Sequence, residues 1–286
     1  MALNAIQSIT ELTIHKGGQM RSLESKLIET EDHAKLHYIF RSGNPCIILI
    51  HGLACDYTLW IQVTENLPDG FGLLIPDMRG HGQSTLGCNT PSIELFAQDI
   101  LFVADKESIT NPIVCGMSMG GYITFALANI APDFAGGYGF FDTAAGNDPP
   151  EGKVNRAADI ELMRNSGWEK RMENHTPNLL WVDGPDFQKV KEHAFEMAKK
   201  AGEVGICYAQ TAISNRPDSR PFLEKVDKPV MVAVGEHDKL TPIEKAREIA
   251  DPIPKSNLVT IPNAAHFSPT ENPQGVAQCI KDLISK

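Results

Sequence analysis

The sequence predicts an α/β fold in which a mostly parallel, twisted sheet has helices on both faces and carries a helical lid insertion. Three observations lead to this fold class. Short apolar runs rich in β-branched residues recur along the chain, and segments with helical periodicity separate them. Strands that alternate with helices favour a parallel sheet that is covered on both sides. From about residue 147 to 222 the alternation stops, and the chain becomes helical in character.

The strand signals begin with a hairpin. Residues 26–30 and 36–40 alternate in polarity around the turn-like segment Glu31-Asp32-His33, which predicts two strands with one face toward water. The run CIILI at 46–50 is apolar on both faces, as buried parallel strands are. Similar runs predict further strands at 72–75, 113–115, 138–141, 230–234 and, more weakly, 258–261. Residues 1–23 form an N-terminal extension that the pattern does not assign.

The helices between these strands are predicted from their periodicity. Residues 93–104 have a helical pattern, and so does the nearly all-apolar segment 122–131. In the last helix, Asn272 is placed to cap the N-terminus and Pro273 suits the first turn. The apolar residues at 276, 280, 283 and 284 then form one stripe along that helix.

The segment 147–222 is predicted to be a lid over the carboxyl edge of the sheet, where ligands bind in such folds. A packed helical subdomain without substrate contact is the alternative. The methionines and aromatic residues of the predicted lid suit a medium-sized apolar acyl or alkoxy group of the substrate. These residues are Met163, Trp168, Met172, Trp181, Phe187, Phe195 and Met197. The chain therefore divides into the extension 1–23, a first core part 24–146, the lid 147–222 and a second core part 223–286.

The composition excludes several classes of function. The 286 residues include 26 Lys and Arg against 36 Asp and Glu, which gives a formal charge of −10. This acidic balance argues against a nucleic acid or an anionic membrane surface as partner. No stretch approaches the roughly 18–20 consecutive apolar residues of a membrane span. The recurring apolar runs also exclude disorder over the whole chain.

The cysteines and the N-terminus bear on metals and on location. The six cysteines are scattered, with no C-x-x-C pair and no Cys/His cluster at metal-ligand spacing, so we expect reduced thiols and no metal site. The N-terminal segment has neither the basic start nor the continuous apolar stretch of a secretory signal. These features predict a cytoplasmic protein.

The sharpest chemical signal is the segment GMSMGG at 116–121. A G-x-S-x-G motif between a predicted strand and a predicted helix indicates a nucleophile elbow. Such a turn forces Ser118 at its corner into a strained backbone conformation. Gly116 and Gly120 are small because strand and helix nearly touch there. We therefore expect Ser118 to be a nucleophile, held at the N-terminus of a helix where negative charge is favoured.

A serine nucleophile needs a general base, and the base needs an acid that orients it. His266 follows the last predicted strand by a short loop, and Asp238 follows the strand 230–234 through Gly235-Glu236-His237. Both positions lie at the carboxyl edge of the sheet, and the order Ser, Asp, His is the one that this elbow predicts. His237 is the competing base, and Asp142, at the end of the strand 138–141, is the competing acid.

Acyl transfer also needs donors for the tetrahedral oxyanion. The backbone N–H of Met119, directly after the serine, is one candidate. The second is the backbone N–H of Leu53 in the loop after CIILI, where Gly52 lets the backbone come close.

These segments resemble the α/β-hydrolase family, in its small esterase and lactonase type, from about Lys26 to the end of the chain. The resemblance rests on His51-Gly52 with Trp60 downstream, DMRGHGQS at 77–84, the serine elbow, Gly235-x-x-Asp238, and His266 followed by Glu271-x-Pro273. The segment 77–84 is typical of the family, and we expect Arg79, His81 and Ser84 to form a tight structural turn there. His51 is expected to order its loop rather than to carry a proton.

The resemblance implies a serine carboxylesterase that cleaves small to medium-sized esters through an acyl-enzyme. Haloalkane dehalogenases and epoxide hydrolases carry Asp where this chain has Ser118. Hydrolases of C–C bonds in ring-cleavage products usually show Gly-Pro-Gly after His-Gly, whereas this chain has Leu53-Ala54-Cys55-Asp56. The spacing from His51 to Trp60 is similar to that of enol-lactonases, aryl esterases and carrier-protein methyl esterases.

Other activities remain open at this stage. A C–C bond hydrolase or an enol-lactonase for ring-cleavage products is the main alternative, and a lid-switched ligand receptor is another. An acyltransferase or a perhydrolase would share the acyl-enzyme. The expected partner is a small-molecule ester, with no nucleic acid, no membrane span, no cofactor and no metal, and the expected state is a monomer or a homodimer.

Overall fold

A computed structural model describes residues 6–16 and 19–286. Within these residues nine strands form one sheet. They are β1 (Gln7–Lys16), β2 (Gln19–Glu29), β3 (Lys35–Arg41), β4 (Cys46–Ile50), β5 (Gly72–Pro76), β6 (Ile113–Met117), β7 (Gly137–Phe141), β8 (Val230–Gly235) and β9 (Ser256–Ile261). Their order across the sheet is β1-β2-β3-β5-β4-β6-β7-β8-β9. The pairs β1–β2, β2–β3 and β3–β5 are antiparallel, and all the other pairs are parallel. This confirms the mostly parallel sheet.

The antiparallel edge contains the N-terminal segment that the sequence pattern left unassigned. The predicted hairpin is present as β2 and β3, but β2 begins earlier, at Gln19, and pairs along its length with β1. This pairing is made by backbone hydrogen bonds between two segments, which the periodicity of either segment alone does not reveal. Residues 1–5, 17 and 18 of the predicted extension lie outside the described residues.

The helices cover both faces of the sheet. In the described residues they are α1 (Ile61–Glu65), α2 (Ile93–Lys106), α3 (Met119–Ile130), α4 (Pro150–Leu179), α5 (Phe187–Ser214), α6 (Ile243–Ala250), α7 (Ser268–Glu271) and α8 (Pro273–Ile284). At α8 the Asn272 side chain accepts a hydrogen bond from the Gly275 N–H at 2.9 Å, which confirms the predicted cap. None of these helices is long and apolar enough to cross a bilayer.

The central strand β4 shows how the sheet separates two apolar clusters. Ile48 and Ile50 belong to one cluster, together with apolar residues of α2, α3 and α6. Ile47 and Leu49 belong to the other, together with residues of α1, α4 and α8. Successive side chains of a strand point to opposite faces. A run that is apolar on both faces therefore occupies the middle of a sheet covered on both sides, as predicted.

Helices α4 and α5 are inserted between β7 and β8, within the segment predicted to be a lid. Each contains one glycine with a positive φ, Gly167 at 82° and Gly202 at 58°. The helical backbone is interrupted at these residues, so each helix consists of two segments. The domain limits at 146/147 and 222/223, and the movement of this segment as a lid, stay predictions.

Candidate active site

Ser118 stands at the corner between β6 and α3. Its backbone has φ 53° and ψ −114°, a conformation that costs about 1–3 kcal/mol for a residue other than glycine. The surrounding structure holds this conformation, because the Ser118 N–H donates to the Phe141 carbonyl at 3.0 Å and the Ser118 carbonyl accepts from the Gly121 N–H at 2.9 Å. The predicted strained corner is confirmed.

The two elbow glycines are required by close backbone contacts. A Cβ on Gly116 would collide with the carbonyl of Gly120, and a Cβ on Gly120 would collide with the carbonyl of Ile50. Strand β6, helix α3 and strand β4 therefore meet without room for a methyl group. This is the close approach that the sequence predicted.

The structure brings Ser118, His266 and Asp238 together. The Ser118 Oγ lies 2.9 Å from His266 Nε2, and His266 Nδ1 lies 2.9 Å from Asp238 Oδ2. Asp238 follows β8 and His266 follows β9, so both come from the carboxyl edge of parallel strands. Both side chains are buried. Ser118 and His266 are 148 residues apart in the sequence, and the topology of the sheet brings them together.

The electrostatics of the pair favour an imidazole next to an ionised acid. Burial opposes the charged imidazole, but the Asp238 carboxylate and its hydrogen bond outweigh burial and raise the pKa of His266 above its ordinary value. Burial alone would raise the pKa of Asp238. The charge of His266 and hydrogen bonds from His266 and Thr241 lower that pKa instead. Asp238 is therefore an anion at neutral pH.

The two competing residues make other contacts. His237 is half-buried and stacks on Trp181, with ring centroids 4.8 Å apart. Asp142 is fully buried, accepts from the Gly235 N–H at 2.8 Å through Oδ1 and bonds the Ser268 hydroxyl through Oδ2. Neither is hydrogen-bonded to the Ser118–His266 pair.

The two predicted oxyanion donors lie after different strands, Leu53 in the loop after β4 and Met119 at the start of α3 after β6. Among the described residues, no hydrogen-bond acceptor is found for the backbone N–H of Leu53 or of Met119. Buried histidines order this loop: His51 Nδ1 donates to the Gly52 carbonyl at 2.7 Å, and His81 Nε2 accepts from the Ala54 N–H at 3.2 Å. Burial lowers the pKa of both imidazoles, so they are neutral. The interpretation of His51 as a loop-ordering residue is confirmed.

The turn at 77–84 is structural, as predicted. Arg79 is buried and forms a bidentate ion pair with Asp99, at 2.6 and 2.8 Å, and a second ion pair with Asp32 at 2.6 Å. The Ser84 hydroxyl donates to the Asp77 carbonyl at 2.7 Å. These contacts fix the turn from which His81 reaches the loop that carries Leu53.

Glu271 connects two loops beside His266, a contact that the sequence did not predict. Its Oε1 accepts from the Trp181 N–H at 2.6 Å and its Oε2 accepts from the Ala265 N–H at 2.7 Å. The His266 N–H also donates to the Leu179 carbonyl at 3.1 Å. The loop that holds the catalytic-base candidate is therefore bonded to the end of α4. The only sequence signal was the motif Glu271-x-Pro273 five residues after His266.

Ser118 and His266 open into a cavity of about 710 Å³ that Leu53 and helices α4 and α5 also border. Of the seven methionines and aromatic residues proposed for an apolar lining, Met172 alone borders it among the described residues. The expectation is wrong for the others: Met163 and Met197, for example, are buried in the apolar cluster between helices and sheet. The helices present polar residues instead, which are Asn155, Arg156, Asp159, Arg171, His175, Asn178 and Gln210.

In the part of the chain that the structure describes, no group of three or more His, Cys, Asp or Glu side chains is arranged to hold a metal ion. The expected independence of cofactors stays a prediction.

Comparison with known proteins shows similarity over most of the chain. A thermophilic esterase from Thermogutta terrifontis has a TM-score of 0.84 and 29% sequence identity, with 97% of this chain and 98% of that chain covered. The enol-lactonase from Burkholderia xenovorans has a TM-score of 0.79 and 26% identity, with 88% and 97% covered.

A curated relative is 3-oxoadipate enol-lactonase 2 of Acinetobacter baylyi, which is 24% identical over 251 residues, 86% of this chain and 91% of the relative. The model of the Alpha/beta hydrolase family matches residues 47–279, from strand β4 into helix α8. The match thus spans the elbow, the acid and the histidine, and the chain belongs to the alpha/beta hydrolase family.

Proposed function

We propose that the chain is a carboxylic-ester hydrolase in which Ser118 is the nucleophile, His266 the general base and Asp238 the acid that orients it. The observation that carries the proposal is the hydrogen-bonded chain from Asp238 through His266 to Ser118, at 2.9 Å in each step, on the wall of a cavity. A serine that contacts the imidazole of such a pair is activated for attack on a carbonyl carbon.

The first half of the reaction forms an acyl-enzyme. The Ser118 Oγ attacks the ester carbonyl, and its proton passes to His266 Nε2. The oxyanion of the tetrahedral intermediate accepts hydrogen bonds from the Leu53 and Met119 N–H groups, a contact that typically changes the rate by about 100–1000-fold per donor. As the intermediate collapses, His266 returns the proton to the leaving alcohol. Asp238 stabilises the imidazolium during these steps.

The second half repeats this chemistry with water. His266 takes a proton from a water molecule, whose oxygen attacks the acyl carbon. The tetrahedral intermediate then releases the carboxylic acid, and the proton returns to Ser118 Oγ. A lactone is an internal ester, so the same steps open a lactone ring. The enol-lactonases among the similar proteins support including lactones in the substrate class.

The proposal is tested with short activated esters and with Ser118→Ala. Wild-type protein is expected to hydrolyse 4-nitrophenyl acetate and butyrate, and Ser118→Ala to lose kcat by several orders of magnitude because the nucleophile is gone. A panel with chain-length-varied esters, a lactone and a ring-cleavage dienone separates esterase, lactonase and C–C hydrolase. Wild-type turnover in Ser118→Ala would exclude the assignment. Turnover far below one per minute with every ester would favour the receptor alternative.

The cytoplasmic location and the monomeric or homodimeric state belong to the same proposal. The location rests on the scattered cysteines described above, and cell fractionation tests it. Light scattering tests the expected monomeric or homodimeric state.

A further inference from the structure

We propose that the ester or lactone acted on at this site carries a carboxylate group, which the guanidinium of Arg171 binds inside the cavity. The inference rests on the proposed function, because it names the class of substrate for the same site. It comes from the contacts of one buried cation and from the charges of its neighbours.

Arg171 is a buried cation that borders the cavity and has unused donors. The residue is only 7% exposed, and it lines the same cavity as Ser118 and His266. Its Nε donates to Asp159 Oδ2 at 2.7 Å, and its Nη1 has only the weak sulfur acceptor of Met172 at 3.7 Å. Within residues 6–16 and 19–286, Nη2 and its two N–H groups have no protein acceptor. Nη2 is not one of the fully buried atoms without a partner, so it is accessible from the cavity, and a ligand oxygen there would accept a charge-assisted hydrogen bond from it.

The cluster of charged side chains that contains Arg171 carries a surplus of positive charge. Asp148 is paired with both Arg156 and Arg216, and Asp159 is paired with Arg171 and bonded to His175 at 2.9 Å. Three guanidinium groups thus face two carboxylates. The other cations at the cavity, Arg220 and Lys245, are each paired, with Asp218 and Glu248 at 2.6 Å. Within this cluster of five residues the excess is one positive charge, which arises because Arg156 and Arg216 share Asp148 beside the Asp159–Arg171 pair. The formal charge of the whole chain is −10.

The surplus of one positive charge indicates which charged group of a ligand the cluster would bind. One unit of positive charge neutralises a carboxylate monoanion, whereas a phosphate dianion would leave an uncompensated negative charge in a buried site. The planar fork of a guanidinium also matches the two oxygens of a carboxylate. A neutral ester group would leave the surplus charge of this cluster uncompensated. The geometry therefore points to a carboxylate on the substrate, separate from the carbonyl that Ser118 attacks.

The placement of Arg171 follows from the break in α4. Gly152, Asn155, Arg156 and Asp159 line the cavity from the segment before Gly167, and Arg171, His175 and Asn178 line it from the segment after Gly167. Residues three and four apart lie on one face of a helix, so each segment presents one polar face. The interruption at Gly167 brings both faces to the same cavity, where Asp159 and Arg171 meet.

The test uses two methyl esters of the same shape that differ in charge. Monomethyl glutarate carries a carboxylate, and the methyl ester of glutaramic acid carries a neutral amide in its place. We expect wild-type kcat/KM, measured by methanol release, to be about 10–100-fold higher for the carboxylate ester, the usual range for a charged hydrogen bond. The monomethyl adipate pair allows for a different distance between the two groups, and methyl 4-phosphonobutanoate tests the phosphate-like alternative.

Variants connect this preference to Arg171. In Arg171→Met the ratio of the two kcat/KM values is expected to fall to near one, and Arg171→Lys is expected to retain part of it. Arg164→Met is the matched control, because Arg164 is an exposed arginine on the same helix, and it should leave the ratio unchanged. If Arg171→Met fails to fold, the double variant Asp159→Asn/Arg171→Met removes the opposing charge as well and gives the same readout.

Binding separates this inference from the proposed hydrolysis. In Ser118→Ala, calorimetry with monomethyl glutarate is expected to give a Kd at least tenfold lower than the amide ester gives, and a second change, Arg171→Met, should remove the difference. Equal Kd values for the two esters, or hydrolysis of both at equal rates, would overturn the carboxylate site while leaving the esterase proposal intact. Preferential binding without any hydrolysis would support the site and exclude the esterase. Preference for the phosphonate would overturn the choice of carboxylate.

Discussion

Two buried carboxyl groups lie behind the imidazole of His266, and their surroundings give them different charge states. Asp238 accepts hydrogen bonds from Thr241 and from His266, which keep it ionised. Burial raises the pKa of Asp142 well above its ordinary value, and the charge of Asp238 adds to this effect. Asp142 bonds Gly235 and Ser268 instead of the imidazole. Hydrogen bonding thus favours Asp238 over Asp142 as the residue proposed to orient His266, although both acids follow strands at the same edge.

The first prediction concerns Asp238→Asn and pH. The base must be neutral to take the Ser118 proton, so activity is lost as pH falls through the pKa of His266, which is raised above its ordinary value. Replacing the carboxylate leaves burial as the main influence and lowers this pKa. We expect the acidic limb of the kcat/KM profile to move to lower pH and kcat to fall by about 10⁴-fold, because the imidazole loses its orientation.

The control for this experiment is Asp251→Asn, an exposed carboxylate at the end of α6, which should change neither quantity. An unchanged acidic limb in Asp238→Asn, with wild-type kcat, would mean that Asp238 does not act on His266. A similar loss in Asp142→Asn, together with a shifted limb, would assign the orienting role to Asp142.

At the scale of elements, the corner between β6 and α3 depends on the missing side chain of Gly120. In Gly120→Ala the new methyl group meets the carbonyl of Ile50, which belongs to the backbone of β4 and cannot rotate away. We expect a loss of about 1–3 kcal/mol in the free energy of unfolding, from the overpacking of a fixed contact. A shift of Ser118 by about 1 Å is expected to lower kcat by about 100-fold. Urea unfolding and ester hydrolysis measure the two effects.

Gly146→Ala is the matched control, because a Cβ there would have no neighbour closer than 3.6 Å and the residue has no positive φ. Its free energy of unfolding is expected to stay within about 0.5 kcal/mol of wild type. If Gly120→Ala were as stable and as active as Gly146→Ala, the contact between α3 and β4 would not be needed for the elbow.

Elements with a local signal could be predicted from the sequence, and those that depend on distant contacts could not. The strand β4 has five apolar residues, and α8 has a cap, a proline and a stripe. Strand β1 has no such local signal, because its pairing with β2 is made between backbones. The triad positions could also be predicted, since parallel strands end at one edge and Ser118, Asp238 and His266 each follow such a strand.

At the scale of the whole molecule, the residues that line the cavity could not be predicted from the sequence pattern. Met163 and Met172 both lie in α4 and both belong to the same buried apolar cluster, yet only Met172 also borders the cavity. The backbone break at Gly167 separates them, and helical spacing does not continue through it. The polar faces that border the cavity therefore depend on the change in the direction of α4 at Gly167, which the periodicity of one continuous helix does not predict.

An ion pair between a half-exposed lysine and a buried aspartate joins α5 to the loop after β4. Asp56 is fully buried, and its Oδ2 accepts from Lys200 Nζ of α5 at 2.6 Å. Seven residues earlier on the same helix, His193 Nε2 lies 2.8 Å from Thr58 Oγ1. Burial would raise the pKa of Asp56, but Lys200 and Thr58 lower it below the ordinary value of 3.8. This contact couples the position of α5 to the loop that carries Leu53.

The last prediction is that Lys200→Met loosens α5 and destabilises the molecule in a pH-dependent way. Because the native pKa of Asp56 is lowered, the stabilisation is present above the unfolded pKa of about 3.8 and is lost as pH falls through the native value. Lys200 is 44% exposed, which limits the expected loss at pH 7 to about 1–2 kcal/mol. Lys199→Met, which removes an exposed neighbouring charge, should leave stability unchanged.

Urea unfolding at pH 7 and at acidic pH measures the energetic part, and the difference between wild type and Lys200→Met is expected to shrink toward acid. Hydrogen exchange measures the structural part: amides of α5 should exchange faster in the variant while those of β4 and β6 keep their protection, because opening is local to the helix. Faster exchange spread equally over helix and sheet would show that α5 and the sheet unfold as one unit, and that the ion pair does not hold the helix separately.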